Sequence, residues 1–133
     1  MAVIAPEPLI TVSSVYNSSK WYQEVLGCTS RWGGLEDDPD HPYDCIVSGD
    51  TVVVQLHARE VDEHAFLQEA GPGSHGQGMC LYVRVDDVQD VAERAAKVGA
   101  RVLGPPHIND GPGWLELELL DPDGYYVTAY EPR

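Results

Sequence analysis

The sequence predicts an α+β fold of two tandem βαβββ modules. Three observations predict it. The last third of the chain runs strand, helix, then three strands; the first half runs the same order; and the helix-bearing stretches Val12 to Gly27 and Val85 to Gly99 are nearly equal in length. Self-similarity of this kind marks a duplicated supersecondary unit. The modules are expected at 1–57 and 79–133, separated by a linker at 58–78 that carries a short helix.

In the first module, Pro8 suits the first residue of a strand, and Leu9 to Val12 alternate Ile10 and Val12 against Leu9 and Thr11. A helix from about Ser14 or Asn17 to Leu26 places Trp21, Tyr22, Val25 and Leu26 on one stripe, and Gly27 stops it. A strand is expected at Thr29 to Gly33, then an acidic, proline-bearing loop, Gly34 to Pro42. That loop lacks the spacing and central glycine of a calcium loop, so it reads as solvated. Tyr43 to Ser48 and Thr51 to His57 form a hairpin across Gly49-Asp50. Val52, Val54 and Leu56 share one face of its second strand, with Val53, Gln55 and His57 on the other. In the linker, the helix is expected at about Asp62 to Ala70. The glycine-rich stretch Gly73 to Gly78 lacks the Lys-Ser/Thr of a phosphate loop and reads as a flexible connection, with His64 and His75 on the surface.

The second module opens on the strand Met79 to Val85, followed by a helix from Asp87 to Val98. Asp87 is placed to cap the helix, Val88, Val91, Ala92 and Ala95 fall on one face, and Gly99 ends it. A short strand near Arg101 to Leu103 leads to Trp114 to Leu120, whose Leu/Glu alternation has the period of a sheet with one face buried. The turn Asp121-Pro-Asp-Gly124 joins it to Tyr125 to Tyr130, with Pro122 and Gly124 at the positions a tight turn favours. Strand parity puts Leu81, Val83, Leu115, Leu117, Leu119, Val127 and Ala129 against the helix. It puts Cys80, Tyr82, Arg84, Glu116, Glu118, Tyr126, Thr128 and Tyr130 on the opposite face, which is polar and aromatic as a binding surface should be.

Twenty-two acidic against eight basic residues give a net charge of −14, which argues against nucleic acid or an anionic membrane as partner. Three cysteines, Cys28, Cys45 and Cys80, have no paired spacing, so no disulfide framework is expected. No signal peptide or membrane span is read from the N-terminal stretch, where Glu7 and Pro8 interrupt a short apolar run, and a cytoplasmic location is expected.

The two modules, the helix Ser18 to Gly27, Val85-Asp-Asp-Val88 and Asp121-Pro-Asp-Gly-Tyr125 resemble the vicinal oxygen chelate superfamily of glyoxalase I, extradiol dioxygenases, methylmalonyl-CoA epimerase and the bleomycin-resistance proteins. The resemblance implies mixed sheets curled into a cup, with helices outside and the ligand within. It also implies metal ligands at positions matching Glu7, Gln55, Cys80 and Thr128. Cys80 and Thr128 depart from the residues usual there, and a neutral threonine is a poor ligand. No cofactor is therefore expected. The implied function is that of the metal-free, bleomycin-resistance-like members: binding planar aromatic small molecules, cations among them, in a homodimer. The expected ligand-binding residues are Trp32, Tyr43, Gln55, His57, Cys80, Tyr82, Arg84, Trp114, Glu116, Glu118, Tyr126 and Thr128. Arg84 is expected to pair with one of the two carboxylates, leaving the other for a cation. A second reading is a metal-dependent lyase, epimerase or dioxygenase with an altered divalent-metal site at Glu7, Gln55 and Cys80.

Overall fold

The computed structural model describes residues 4–59 and 79–133. The helix expected at Asp62 to Ala70, the stretch Gly73 to Gly78, and His64 and His75 lie outside the described residues.

The first module comprises β1 (Leu9–Val12), α1 (Val15–Leu26), β2 (Thr29–Ser30), β3 (Tyr43–Ser48) and β4 (Thr51–Ala58). The second comprises β5 (Cys80–Arg84), α2 (Val88–Val98), β6 (Arg101–Val102), β7 (His107–Asn109), β8 (Trp114–Leu120) and β9 (Tyr126–Glu131). Each module builds one open mixed sheet, in the orders β1-β4-β3-β2 and β5-β9-β8-β6, with β7 also pairing β8. In both, the first strand lies parallel to the last and the remaining pairs are antiparallel. The duplicated α+β architecture follows the sequence pattern, with local differences. The strand expected at Thr29 to Gly33 is only Thr29–Ser30, because Gly33 turns back onto Ser30 with a positive φ. The second module also gains β7, in a stretch of glycine and proline with no readable period.

Both helices begin and end as their sequences require. Ser14 caps α1 by accepting the Asn17 N–H, and Asp87 caps α2 by accepting those of Gln89 and Asp90. Gly27 and Gly99 end them in the left-handed conformation, at φ 72° and 68°. On α1, Tyr22 and Val25 are buried as the stripe predicts, whereas Trp21 and Leu26 are only partly buried. Ser18 and Ser19 are buried too, because Ser19 donates a 2.6 Å hydrogen bond to the buried Asp44 of β3. Asp44 also accepts one from Ser30 at 2.8 Å, so its charge is met by local donors.

The two helices pack against each other, and each covers its own sheet. One core cluster crosses the module boundary, joining Ile10, Val12, Tyr22 and Leu56 to Leu81, Tyr125 and Val127. The turn after β8 fastens the halves together. Asp121 accepts the Tyr22 hydroxyl at 2.8 Å, Tyr125 donates to the Thr11 carbonyl at 2.9 Å, and Asp123 accepts the Ser13 N–H at 3.0 Å. Arg59 pairs with Asp123 at the same junction, 3.0 Å away. The helices thus occupy one side of the molecule, and the opposite face of each sheet carries the candidate residues. No helix among the described residues is long and apolar enough to cross a membrane.

Candidate functional site

On the first sheet, register sets Tyr43 opposite His57 and Cys45 opposite Gln55, so these four share the face away from α1. The Tyr43 hydroxyl donates to Gln55 Oε1 at 2.7 Å, and Gln55 Nε2 donates to the Glu7 carbonyl at 2.9 Å. Burial, then the neighbouring Cys45, raises the Tyr43 pKa, which keeps the phenol a hydrogen-bond donor. Trp32 and His57 flank this ring, with centroids 5.7 and 5.9 Å from it. The structure therefore gathers Trp32, Tyr43, Gln55 and His57 into one patch.

The second sheet gathers the remaining predicted residues, Arg84 apart, into neighbouring groups. At one end, Trp114 stacks on Tyr130 with centroids 4.5 Å apart and planes inclined by 18°. Tyr82 lies 4.8 Å from Tyr130 and is about half exposed, so the three rings form a ledge with an open side. At the other end, Cys80, Glu118, Tyr126 and Thr128 line a hollow of about 450 Å³ together with Met79 and Leu103. Cys80 Sγ lies 3.2 Å from Thr128 Oγ1. Between the two ends sit Glu116 and Glu118.

Glu116 lies on the expected face, yet it is only 3% exposed. The extra strand β7 explains this, since its His107 lies directly across from Glu116 and its Asn109 across from Trp114. Asn109 Nδ2 donates to both Glu116 oxygens at 3.2 Å. His107 Nε2 lies 3.3 Å from Glu118 Oε1. Burial, then the nearby Glu118, raises the Glu116 pKa. Sequence reading missed His107 and Asn109; their alternation with Ile108, just ahead of a strong strand, was the only available signal.

Arg84 does not behave as expected. Among the described residues it forms no ion pair. With the ledge ring Tyr82 it instead lines a hollow of about 440 Å³ between β5, the end of α1 and the β3–β4 hairpin. A larger hollow of about 660 Å³ lies among Glu24, Asp90, Glu93, Arg94, Lys97 and Val98 of the helices and contains none of the predicted residues.

A family profile described as a glyoxalase-like domain matches residues 9–128. The chain belongs to the glyoxalase-like family. Solved structures agree in fold across the whole length of this glyoxalase-like chain. A glyoxalase/bleomycin resistance protein/dioxygenase family enzyme from Burkholderia phytofirmans PsJN is 20% identical with a TM-score of 0.72, covering 94% of this chain and 95% of its own. A protein of unknown function from Agrobacterium tumefaciens is 17% identical with a TM-score of 0.74, covering 100% and 97%. A virulence protein from Salmonella typhimurium is 17% identical with a TM-score of 0.66, covering 100% of both chains. No curated protein matches in sequence. Within the vicinal oxygen chelate superfamily, to which glyoxalase-like domains belong, metal enzymes draw ligands from strands matching β1, β4, β5 and β9. Here those positions fit a metal poorly: the Gln55 oxygen is occupied by Tyr43, and Cys80 is engaged with the neutral Thr128.

Proposed function

We propose that this glyoxalase-like chain is a small-molecule-binding protein that takes a planar aromatic compound on the Tyr82–Tyr130–Trp114 ledge. A positive charge on the ligand would then lie toward Glu116 and Glu118. The observation that carries the reading is three mutually contacting rings beside a carboxylate pair that has no Lys or Arg partner among the described residues. Stacking of this kind contributes about 0.5–1.5 kcal/mol beyond area burial, and a cation over such rings adds a similar amount. The hollow by Cys80 and Tyr126 gives room for a substituent.

The binding reading also includes a homodimer. Tyr82, Leu103 and Tyr126 are 47%, 53% and 49% exposed on or beside this face, and a second copy would cover them while closing two equivalent sites.

The test is fluorescence titration with three planar probes: proflavine (a cation), acridone (neutral) and anthracene carboxylate (an anion). Proflavine should bind best, Trp114→Leu should weaken all three about tenfold, and Glu116→Gln should weaken proflavine selectively. Equal binding by wild type and Trp114→Leu would remove the ledge from the reading. Preferential binding of the anion, abolished by Arg84→Gln, would show that Arg84 selects the ligand instead.

A further inference from the structure

His107 raises a question that hydrogen bonding alone does not answer. Its Nδ1 lies 3.2 Å from the Pro105 carbonyl oxygen, which can only accept, so Nδ1 carries the proton. In the neutral imidazole, Nε2 is then a bare lone pair, and it faces the carboxylate oxygen Glu118 Oε1 at 3.3 Å. Two acceptors at that distance repel unless a cation is shared between them. The third member makes the demand stronger. Glu116 is 97% removed from solvent, its one described hydrogen-bond partner is the amide of Asn109, and the nearest charge is a second carboxylate.

The geometry points to a divalent metal site formed by His107 Nε2, Glu118 and Glu116. One imidazole nitrogen and two carboxylate oxygens suit a first-row ion such as Zn²⁺ or Mn²⁺. The candidate ligand atoms of the three residues all lie within 4.8 Å of one another. Ligands held about 2.0–2.2 Å from a tetrahedral zinc stand about 3.3–3.6 Å apart, so the His107–Glu118 edge already has the right length. The supporting contacts are also those a metal site needs. The Pro105 carbonyl fixes the His107 tautomer, leaving Nε2 to ligate. Asn109 accepts the Gly111 N–H at 3.1 Å through Oδ1, which turns its amide nitrogen toward Glu116 and makes it a positioning residue.

This site is separate from the positions at which the superfamily places its metal. Its carboxylates come from β8 and its histidine from β7, whereas Glu7, Gln55, Cys80 and Thr128 lie on or beside β1, β4, β5 and β9. Among the described residues it is the one group of three His, Cys, Asp or Glu side chains with ligand atoms close enough to share an ion. The site uses none of the ledge rings, but it takes the two carboxylates toward which a cation on the ledge would turn, so Zn²⁺ and a cationic ligand would compete there.

Isothermal titration of chelator-stripped protein with Zn²⁺ tests it, with Co²⁺ absorption reporting coordination. Wild type should take one equivalent per chain and show visible Co²⁺ bands. His107→Ala, a change at an exposed side chain, and Glu118→Gln should each weaken binding by about tenfold or more, and Asn109→Ala by a comparable factor through Glu116. Cys80→Ser should bind metal as wild type does, which separates this site from the superfamily position. Wild type that takes up no Zn²⁺ at millimolar concentration would overturn the proposal. Binding that survives in His107→Ala but fails in Cys80→Ser would overturn it in favour of the superfamily position.

Discussion

The phenol of Tyr22 donates a 2.8 Å hydrogen bond to Asp121 Oδ2, and neither side chain is exposed to solvent. The same carboxylate accepts the N–H groups of Asp123 and Tyr125 at 2.9 Å through Oδ1, so one residue orders its own turn and holds the other module's helix. Tyr22→Phe should cost about 1–3 kcal/mol by leaving one buried oxygen unsatisfied. Asp121→Ala should cost more, since it strips three donors at once. Burial raises the Asp121 pKa despite these donors. The folded state therefore holds this proton more tightly, and the corresponding stability is present at low pH and lost as pH rises through the raised value. Urea midpoints between pH 4 and 7 should show that slope in wild type and not in Asp121→Asn.

Cys28 should govern the alkaline limb of stability. Burial pushes its pKa up to about 11 from an ordinary 9.0. The unfolded chain releases this proton near 9.0 while the folded chain keeps it to about 11, so stability falls as pH rises through that window. Two pKa units correspond to about 2–3 kcal/mol. Cys28→Ala should flatten the loss between pH 9 and 10. At pH 8, a disulfide reagent should label Cys80 in the native protein and reach Cys28 and Cys45, both buried, only on unfolding.

Gly27 and Gly99 should prove equivalent. Alanine at Gly27 would place its Cβ 3.7 Å from the Arg94 guanidinium, an ordinary contact, and at Gly99 it would meet nothing within 4 Å. The cost at both sites is therefore the left-handed backbone, about 1–2 kcal/mol each. A large difference between the two denaturation midpoints would show that the side-chain surroundings, not φ, set the penalty.

The homodimer should appear as a mass twice 14.6 kDa by light scattering at micromolar concentration. Tyr82→Lys and Tyr126→Lys together should shift it toward the monomer, because charge on an apolar interface opposes association. A wild-type protein that is monomeric under these conditions would count against two closed sites per assembly.

The modular fold was legible because its signals are periodic and local. The Leu/Glu alternation of β8 correctly gave the face of Glu116 and Glu118, and Gly27 and Gly99 marked both helix ends. Parity assigns a face, however, and not a depth. Glu116 is buried because β7 runs beside it, and β7 lies in Gly104 to Gly113, where prolines and glycines hide any period. A three-residue strand of that kind exists through its pairing with β8 rather than through its own propensity. His107 and Asn109 were therefore invisible, and without them Arg84 seemed the natural partner for the carboxylates. The ledge was half legible: Tyr82, Trp114 and Tyr130 were on the correct face, but their mutual contact depends on the β5–β9–β8 register, which the sequence does not state.

The Asp121–Gly124 turn reaches across to Thr11, Ser13, Ser18 and Tyr22, and Arg59 reaches back to it. Every one of these bonds joins the halves without using the backbone between 60 and 78. Among the described residues, the two modules meet as complementary pieces. Co-expressed as 1–59 and 79–133, they carry between them the whole described interface, and they offer a split-protein pair whose reassembly reports directly on the Tyr22–Asp121 contact.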